Sequence, residues 1–241
     1  MRHQTLAAAL LVLLAATAVA GQSTQQPTPT PIPPPVPKSS PTPSPSPAAQ
    51  PQSQTQPASD AKRKYDALLE AAKKDGASVD YKALRLAYFE TPDYSPLTGM
   101  MNYRALWGLL MQQNWAEAAK QAEVVLARNH VDINAHMVAH IAYRQQANDE
   151  KAKYHRRWAE GLLESVKAGG DGKSPDTAWE VIAISEEYAL LRSMNLERVQ
   201  QSVMHDKGHA YDMMRVVDPR TKAETTFFFN VDKPFSAYLR K

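Results

Sequence analysis

Thirteen of the chain's 18 prolines fall between Gly21 and Pro57, in a tract dominated by Pro, Ser, Thr and Gln in which Lys38 is the one charged residue. No other feature constrains the fold so strongly. A segment this poor in apolar side chains cannot offset the entropy of ordering, so residues 21–58 are expected to form a disordered, partly polyproline-II linker. Whatever folds must be built from residues 59–241, enough for one α+β domain.

Upstream of the linker, Arg2 and His3 precede the apolar run Leu6–Ala16, and Ala18-Val19-Ala20 supplies the small-x-small pattern that a signal peptidase accepts. This predicts a signal peptide over 1–20 and a mature chain beginning at Gly21. The run is too short to cross a bilayer comfortably, and no apolar stretch of about 18 residues follows, so no stable membrane insertion is expected after cleavage. The chain contains no cysteine. Disulfides, thiolate metal ligands and a lipid anchor at a cleavage-site cysteine are therefore excluded. The expected location is periplasmic or extracellular, not as a lipoprotein, and the expected partner is another envelope or secreted protein or peptide.

Charge narrows the partners further. Without Arg2 and Lys38, residues 59–241 carry 26 Lys and Arg against 25 Asp and Glu, a net charge of +1. That is no electrostatic footprint for nucleic acid or an anionic surface. A nucleotide is not expected either, although Gly172-Lys173-Ser174 resembles the tail of a phosphate-binding loop. Such a loop needs a glycine five positions before the second glycine, and Lys167 stands there; Pro175 follows where a helix should begin. A helix end followed by a turn is the favoured reading.

Within the domain, Tyr65, Leu68, Leu69 and Ala72 give a helix over Asp60–Lys74 with Asp75-Gly76 as its stop, and a second helix is predicted over Asp80–Phe89, ended by Thr91-Pro92. Thr98 to Val166 is helical almost throughout. There "NWAEA" from Asn114 and "NDEKA" from Asn148 repeat at 34 residues, the length of a tetratricopeptide helix pair. Leu109 and Tyr143, Ala105 and Ala139, and Val125 and Ala159 fall in register. The resemblance is partial, since Asn102 replaces the usual aromatic and Arg156 takes a usually apolar place. Only two repeats are visible, so the helices before them and the sheet after them are expected to cover the ends of the array.

After Gly169-Gly170 the period changes. Ala178–Ile184 is predicted as a strand, Ser185 as the cap of a helix with Glu186 and Glu187 in its first turn, and Asp206-Lys207-Gly208 as a hairpin turn between Arg198–His205 and His209–Val217. A further strand follows at Glu224–Val231, and of Phe227, Phe228 and Phe229 at least one ring must face away from the core side. The fold expected is thus α+β: a tetratricopeptide-like helical part over 59–168 packed on a small antiparallel β-meander over 176–235 that includes one helix. Three segments, "DYKALRLAYFETPDY" from Asp80, "GDGKSPDTAWEVIAISEEYALLRSMNL" from Gly170 and "GHAYDMMRVVDPRTKAETTFFFNVDKPF" from Gly208, resemble the bacterial family catalogued as domain of unknown function 4919. The resemblance spans Ala61 to Phe235 and implies no catalytic or binding residue.

The segment richest in chemistry is "INAHMVAHIAYR". His136 and His140 lie four apart on one helix face, and if the following turn is centred near Ala147 and Asn148, His155 lies level with His140 on the next helix. Three converging imidazoles would suit zinc or another transition ion with a position left for water, as in a metal-dependent, hydrolase-like enzyme. Met137 stands where the zinc-protease motif has its general base, and no carboxylate is obviously placed behind the trio, so a hydrogen-bonded polar core is favoured and no cofactor is expected. Glu186 and Glu187 suit a helix start better than a catalytic pair, and His205 and His209 beside the hairpin turn are expected to be exposed. A non-catalytic interaction or accessory domain of the cell envelope is the leading reading, and a metal-dependent hydrolase using His136, His140 and His155 the alternative.

Overall fold

The computed structural model describes residues 59–74 and 79–239. The segments expected to form a signal peptide and a linker, and the expected Asp75-Gly76 stop, lie outside them. Helix α1 spans Asp60–Lys74 and α2 Tyr81–Phe89, where the Asp80 carboxylate accepts from Ala83 N and caps the first turn. The sequence placed both within a residue. The Thr91-Pro92 loop is closed by the Thr91 hydroxyl on Tyr88 O, at 2.7 Å.

Four helices follow: α3 (Pro96–Met111), α4 (Trp115–Arg128), α5 (Ile133–Gln145) and α6 (Asp149–Lys167). The 34-residue spacing is visible in their turns. Asn114 and Asn148 cap α4 and α6, accepting from Glu117 N and Lys151 N, and each follows a residue with positive φ, Gln113 at 56° and Ala147 at 55°. Asn114 N donates to Leu109 O and Asn148 N to Tyr143 O, again 34 apart. Two antiparallel helical hairpins result. Alanines 118, 122, 135, 139 and 142, all fully buried, line their mutual faces and let the helices approach closely.

The helices before this array do not cover its first member. Helix α2 packs on α6 instead: Gly161 is open enough for the Tyr81 ring, which a Cβ there would strike at 2.1 Å, and Tyr81 meets Trp158 edge-on with centroids 5.4 Å apart. The outer side of α3 is left to solvent, with Leu97 55%, Met101 72% and Met111 83% exposed.

The C-terminal half holds β1 (Trp179–Glu180), α7 (Ile184–Ser193), β2 (Glu197–Asp206), β3 (His209–Val217), β4 (Glu224–Asn230) and α8 (Asp232–Leu239). The sheet order is β1-β4-β3-β2. The α+β class holds, and β2, β3 and β4 form the expected antiparallel meander. The β2–β3 turn has φ of 49° at Lys207 and 84° at Gly208, the two left-handed residues that a two-residue hairpin demands.

Three expectations for this half need correction. The strand predicted over Ala178–Ile184 is only two residues long, because after Val181 N bonds Asn230 O the next amide, Ile182 N, is taken by the Glu186 carboxylate at 2.9 Å. That strand runs parallel to β4, so the sheet is mixed, not purely antiparallel. Ser185 is not the cap of α7; Ala183 holds that place without a side-chain bond, and Ser185, Glu186 and Glu187 are buried in the first turn. Helix α8 was not anticipated. Asp232 anchors its start by accepting from Ala210 N.

On the core face of the sheet, Met214 pairs with Phe227 and Asp212 with Phe229. Trp179 lies against both phenylalanine rings, at 4.7 and 5.5 Å, while Phe228 points to the opposite face and is half-buried.

Candidate functional site

The three histidines do not behave alike. His136 and His155, on α5 and α6, meet with their Nδ1 atoms 3.0 Å apart, both buried. His140 turns elsewhere and donates from Nδ1 to Ala152 O at 2.9 Å. A fourth ring, His130 in the α4–α5 loop, joins the pair: its carbonyl accepts from His136 Nε2 at 2.9 Å, and its ring packs edge-on against His136 and Trp158. A carbonyl only accepts, so His136 carries its proton on Nε2. Its Nδ1 must then accept from His155 Nδ1. With both nitrogens of His136 engaged, the trio offers no three free lone pairs to one point, and among the described residues no group of three or more His, Asp or Glu is arranged to hold a metal ion.

Burial explains the electrostatics of this cluster. Desolvation, and then the charge of Lys73, bring His130 down to about 4. Burial lowers His136 well below the usual imidazole range and lowers His155 as well, where the nearby Glu123 carboxylate opposes the shift. Glu123 accepts from the Tyr143 hydroxyl at 2.8 Å and forms the outer edge of the cluster. Burial therefore favours the neutral rings; His136 and His155 hydrogen-bond to each other, the His130 ring to Leu126 O and the Tyr154 hydroxyl, and His136 lies nearly parallel to Trp158 at 5.5 Å. His136 and His155 are closed in the interior, while His130 and Glu123 reach the wall of a surface cleft.

A second buried polar group was not legible in the sequence. Arg85 on α2, 2% exposed, grips Glu186 on α7 through Nε to Oε1 at 2.9 Å and Nη2 to Oε2 at 2.5 Å, and reaches Glu180 O at 3.3 Å. Beside it, Asp132 caps α5 by accepting from Ala135 N, while its second oxygen, Oδ2, is buried without a partner. Burial foremost, with the nearby Glu186 charge adding to it, pushes the Asp132 carboxyl up to about 6. A cavity of about 20 Å³ lies among Asp132, Ser185, Glu186, Tyr94 and Gly99, where the starts of α3, α5 and α7 converge. It has room for about one water. Next along α7, Glu187 is fully buried beside Asp212; desolvation and then that carboxyl raise it well above the usual range. These groups tie α2, α5, α7 and the sheet together from inside. The sequence signal was present but faint: Arg85 interrupts the apolar face of "ALRLAYF", and two acids begin a helix that otherwise needs to be buried.

The remaining motifs take structural places. Gly172 has φ of 70°, accepts from Phe228 N at 2.8 Å and lies against Trp179, while Ser174 caps the short 3-10 turn Pro175–Thr177. His209 pairs with Asp232 at 2.6 Å, and His205 is exposed on β2.

Several features remain on the surface, three of them with distinctive chemistry. A cleft of about 640 Å³ is lined by both signs of charge, Lys62, Lys73 and Arg128 against Asp66, Asp93 and Glu123, with His130 and Tyr65 in its wall. A groove of about 440 Å³ runs between Tyr103, Tyr188, Arg192 and Arg198, with Arg192 also 3.8 Å from the centre of the Trp107 ring. The third is the bare face of α3. Its sequence, "PLTGMMNYRALWGLLM", has one charge and is apolar on both sides. A helix apolar all round is ordinarily a covered helix.

The family model described as Domain of unknown function (DUF4919) matches residues 55–240, which shows that the chain belongs to that family. No curated protein and no solved structure matches the chain.

Proposed function

We propose that this member of the DUF4919 family is a non-catalytic interaction or accessory domain of the cell envelope, exported by its leader, held off by the proline-rich linker and bound to a partner protein or peptide through α3. One observation carries the reading: α3 buries Leu106 and Leu110 on one side and leaves Leu97, Met101 and Met111 more than half exposed on the other. Leaving three large apolar side chains in water costs roughly 1.5 to 3 kcal/mol each relative to full burial, which a partner would recover. The chemically loaded side chains support the same reading from the other direction, because His136, His155, Glu186 and Glu187 are closed in the interior at 3% exposure or less.

A photo-crosslinking residue placed at Met101 in the producing cell tests this. It should yield a discrete adduct that the same residue at exposed Arg220 does not. Equal labelling from both positions, or none from either, would remove α3 as the contact surface.

A further inference from the structure

We infer that the occupant of α3 is an amphipathic helix that presents one acidic side chain at the middle of its apolar seam; the inference rests on the reading of α3 as a contact surface. The open face runs Leu97, Met101, Arg104, Gly108, Met111, a spacing of 4, 3, 4, 3. Those intervals keep all five positions within about 40° of a single line along the helix, the kind of seam along which a second helix packs. At 1.5 Å per residue the seam is about 21 Å long, four turns of a partner.

Two features on the seam say what the partner carries. A Cβ at Gly108 would meet nothing within 4 Å, so the seam is open one turn from its C-terminal end and a partner can approach the backbone closely there. Arg104, at the centre, is exposed and has no hydrogen-bond or ion-pair partner among the described residues, and α3 contains no acid at all. A carboxylate facing Arg104 completes the contact. The same arginine argues against a second copy of this chain, because any two-fold pairing centred on the seam sets Arg104 against its own equivalent. It argues against a lipid surface too, since one cation in four turns is far from the basic face of a membrane-lying helix.

The test uses the purified chain and two labelled helical peptides, leucine at the seam positions and either glutamate or lysine at the centre, followed by fluorescence anisotropy. The expected result is micromolar binding of the glutamate peptide, at least tenfold weaker binding of the lysine peptide, reversal of that order in Arg104→Glu, and loss of binding in Gly108→Leu. Equal affinity for both peptides, or no binding of either, overturns the inference. So does a dimer in light scattering that Met101→Lys disperses, or Met101-dependent sedimentation with anionic phospholipid vesicles. Should position 101 crosslink a partner in cells while neither peptide binds, the helical occupant is wrong and the contact surface stands. If both fail, the contact surface falls as well.

Discussion

Replacing Arg85 with methionine isolates what the buried ion pair does. The change keeps much of the side-chain volume but strips Glu186 of both guanidinium bonds, leaving its carboxylate only the Ile182 amide. Breaking a buried pair on one side costs about 3 to 5 kcal/mol, because the surviving charge has no compensation. With a urea m-value of about 2 kcal/mol per molar, the midpoint should fall by roughly 2 M. The assay is equilibrium urea unfolding followed by tryptophan fluorescence, since Trp158 and Trp179 are both buried and report on the helical and sheet halves. The double variant Arg85→Met with Glu186→Leu should be much less damaged than the sum of the single changes, giving a coupling of about 2 kcal/mol or more. A loss under 1 kcal/mol in Arg85→Met, or simple additivity in the cycle, would refute the claim that this pair ties α2 to α7.

Three further outcomes are expected. His130 sits near 4 in the fold against an ordinary 6.5, so the unfolded chain binds its proton first as pH falls and stability drops between those values; replacing it with glutamine should remove about 2 kcal/mol of the loss between pH 7 and pH 5, read as the difference between variant and wild-type melts, and an unchanged slope would count against it. Asp132→Asn keeps an N-cap acceptor while deleting a carboxyl held up to about 6, whose sign is opposite: its charge destabilises above pH 6, so the variant should be more stable than wild type by about 1 to 3 kcal/mol at pH 8 and lose that gain toward pH 4; a destabilised variant at pH 8 contradicts this. Gly172→Ala must adopt φ of 70° and place its Cβ 2.7 Å from the Trp179 ring, so a loss of about 2 kcal/mol or more is expected, against no loss for Gly108→Ala, where the space is open.

The elements that local rules govern were legible in the sequence. Asp206-Lys207-Gly208 announced its turn and Asp60–Lys74 its helix by apolar spacing, and the 34-residue spacing of Asn114 and Asn148 reappears in their matching caps. What failed was what a distant residue decides. Ala178–Ile184 has the composition of a strand, but Glu186 takes the Ile182 amide and ends it. Glu186 and Glu187 do lie in the first turn of α7, but nothing nearby in sequence reveals that they are buried against Arg85, about a hundred residues away, and Asp212. The histidine geometry was half right: counting from the turn found that α5 and α6 bring imidazoles together, and missed that His136 pairs with His155 while His140 is drawn to Ala152 O. His130 was missed because a loop position carries no periodicity.

Oxidation of the two outer methionines tests the account most directly. Peroxide is added to intact producing cells and to the purified chain, and sulfoxide at each methionine is quantified by mass spectrometry, with half-buried Met204 and Met213 on the sheet as internal references. With α3 occupied in the cell, Met101 and Met111 should oxidise at least several-fold more slowly there than in the purified chain, relative to the references. Equal relative rates in both would mean that α3 faces solvent where the protein works, and the central claim would be wrong.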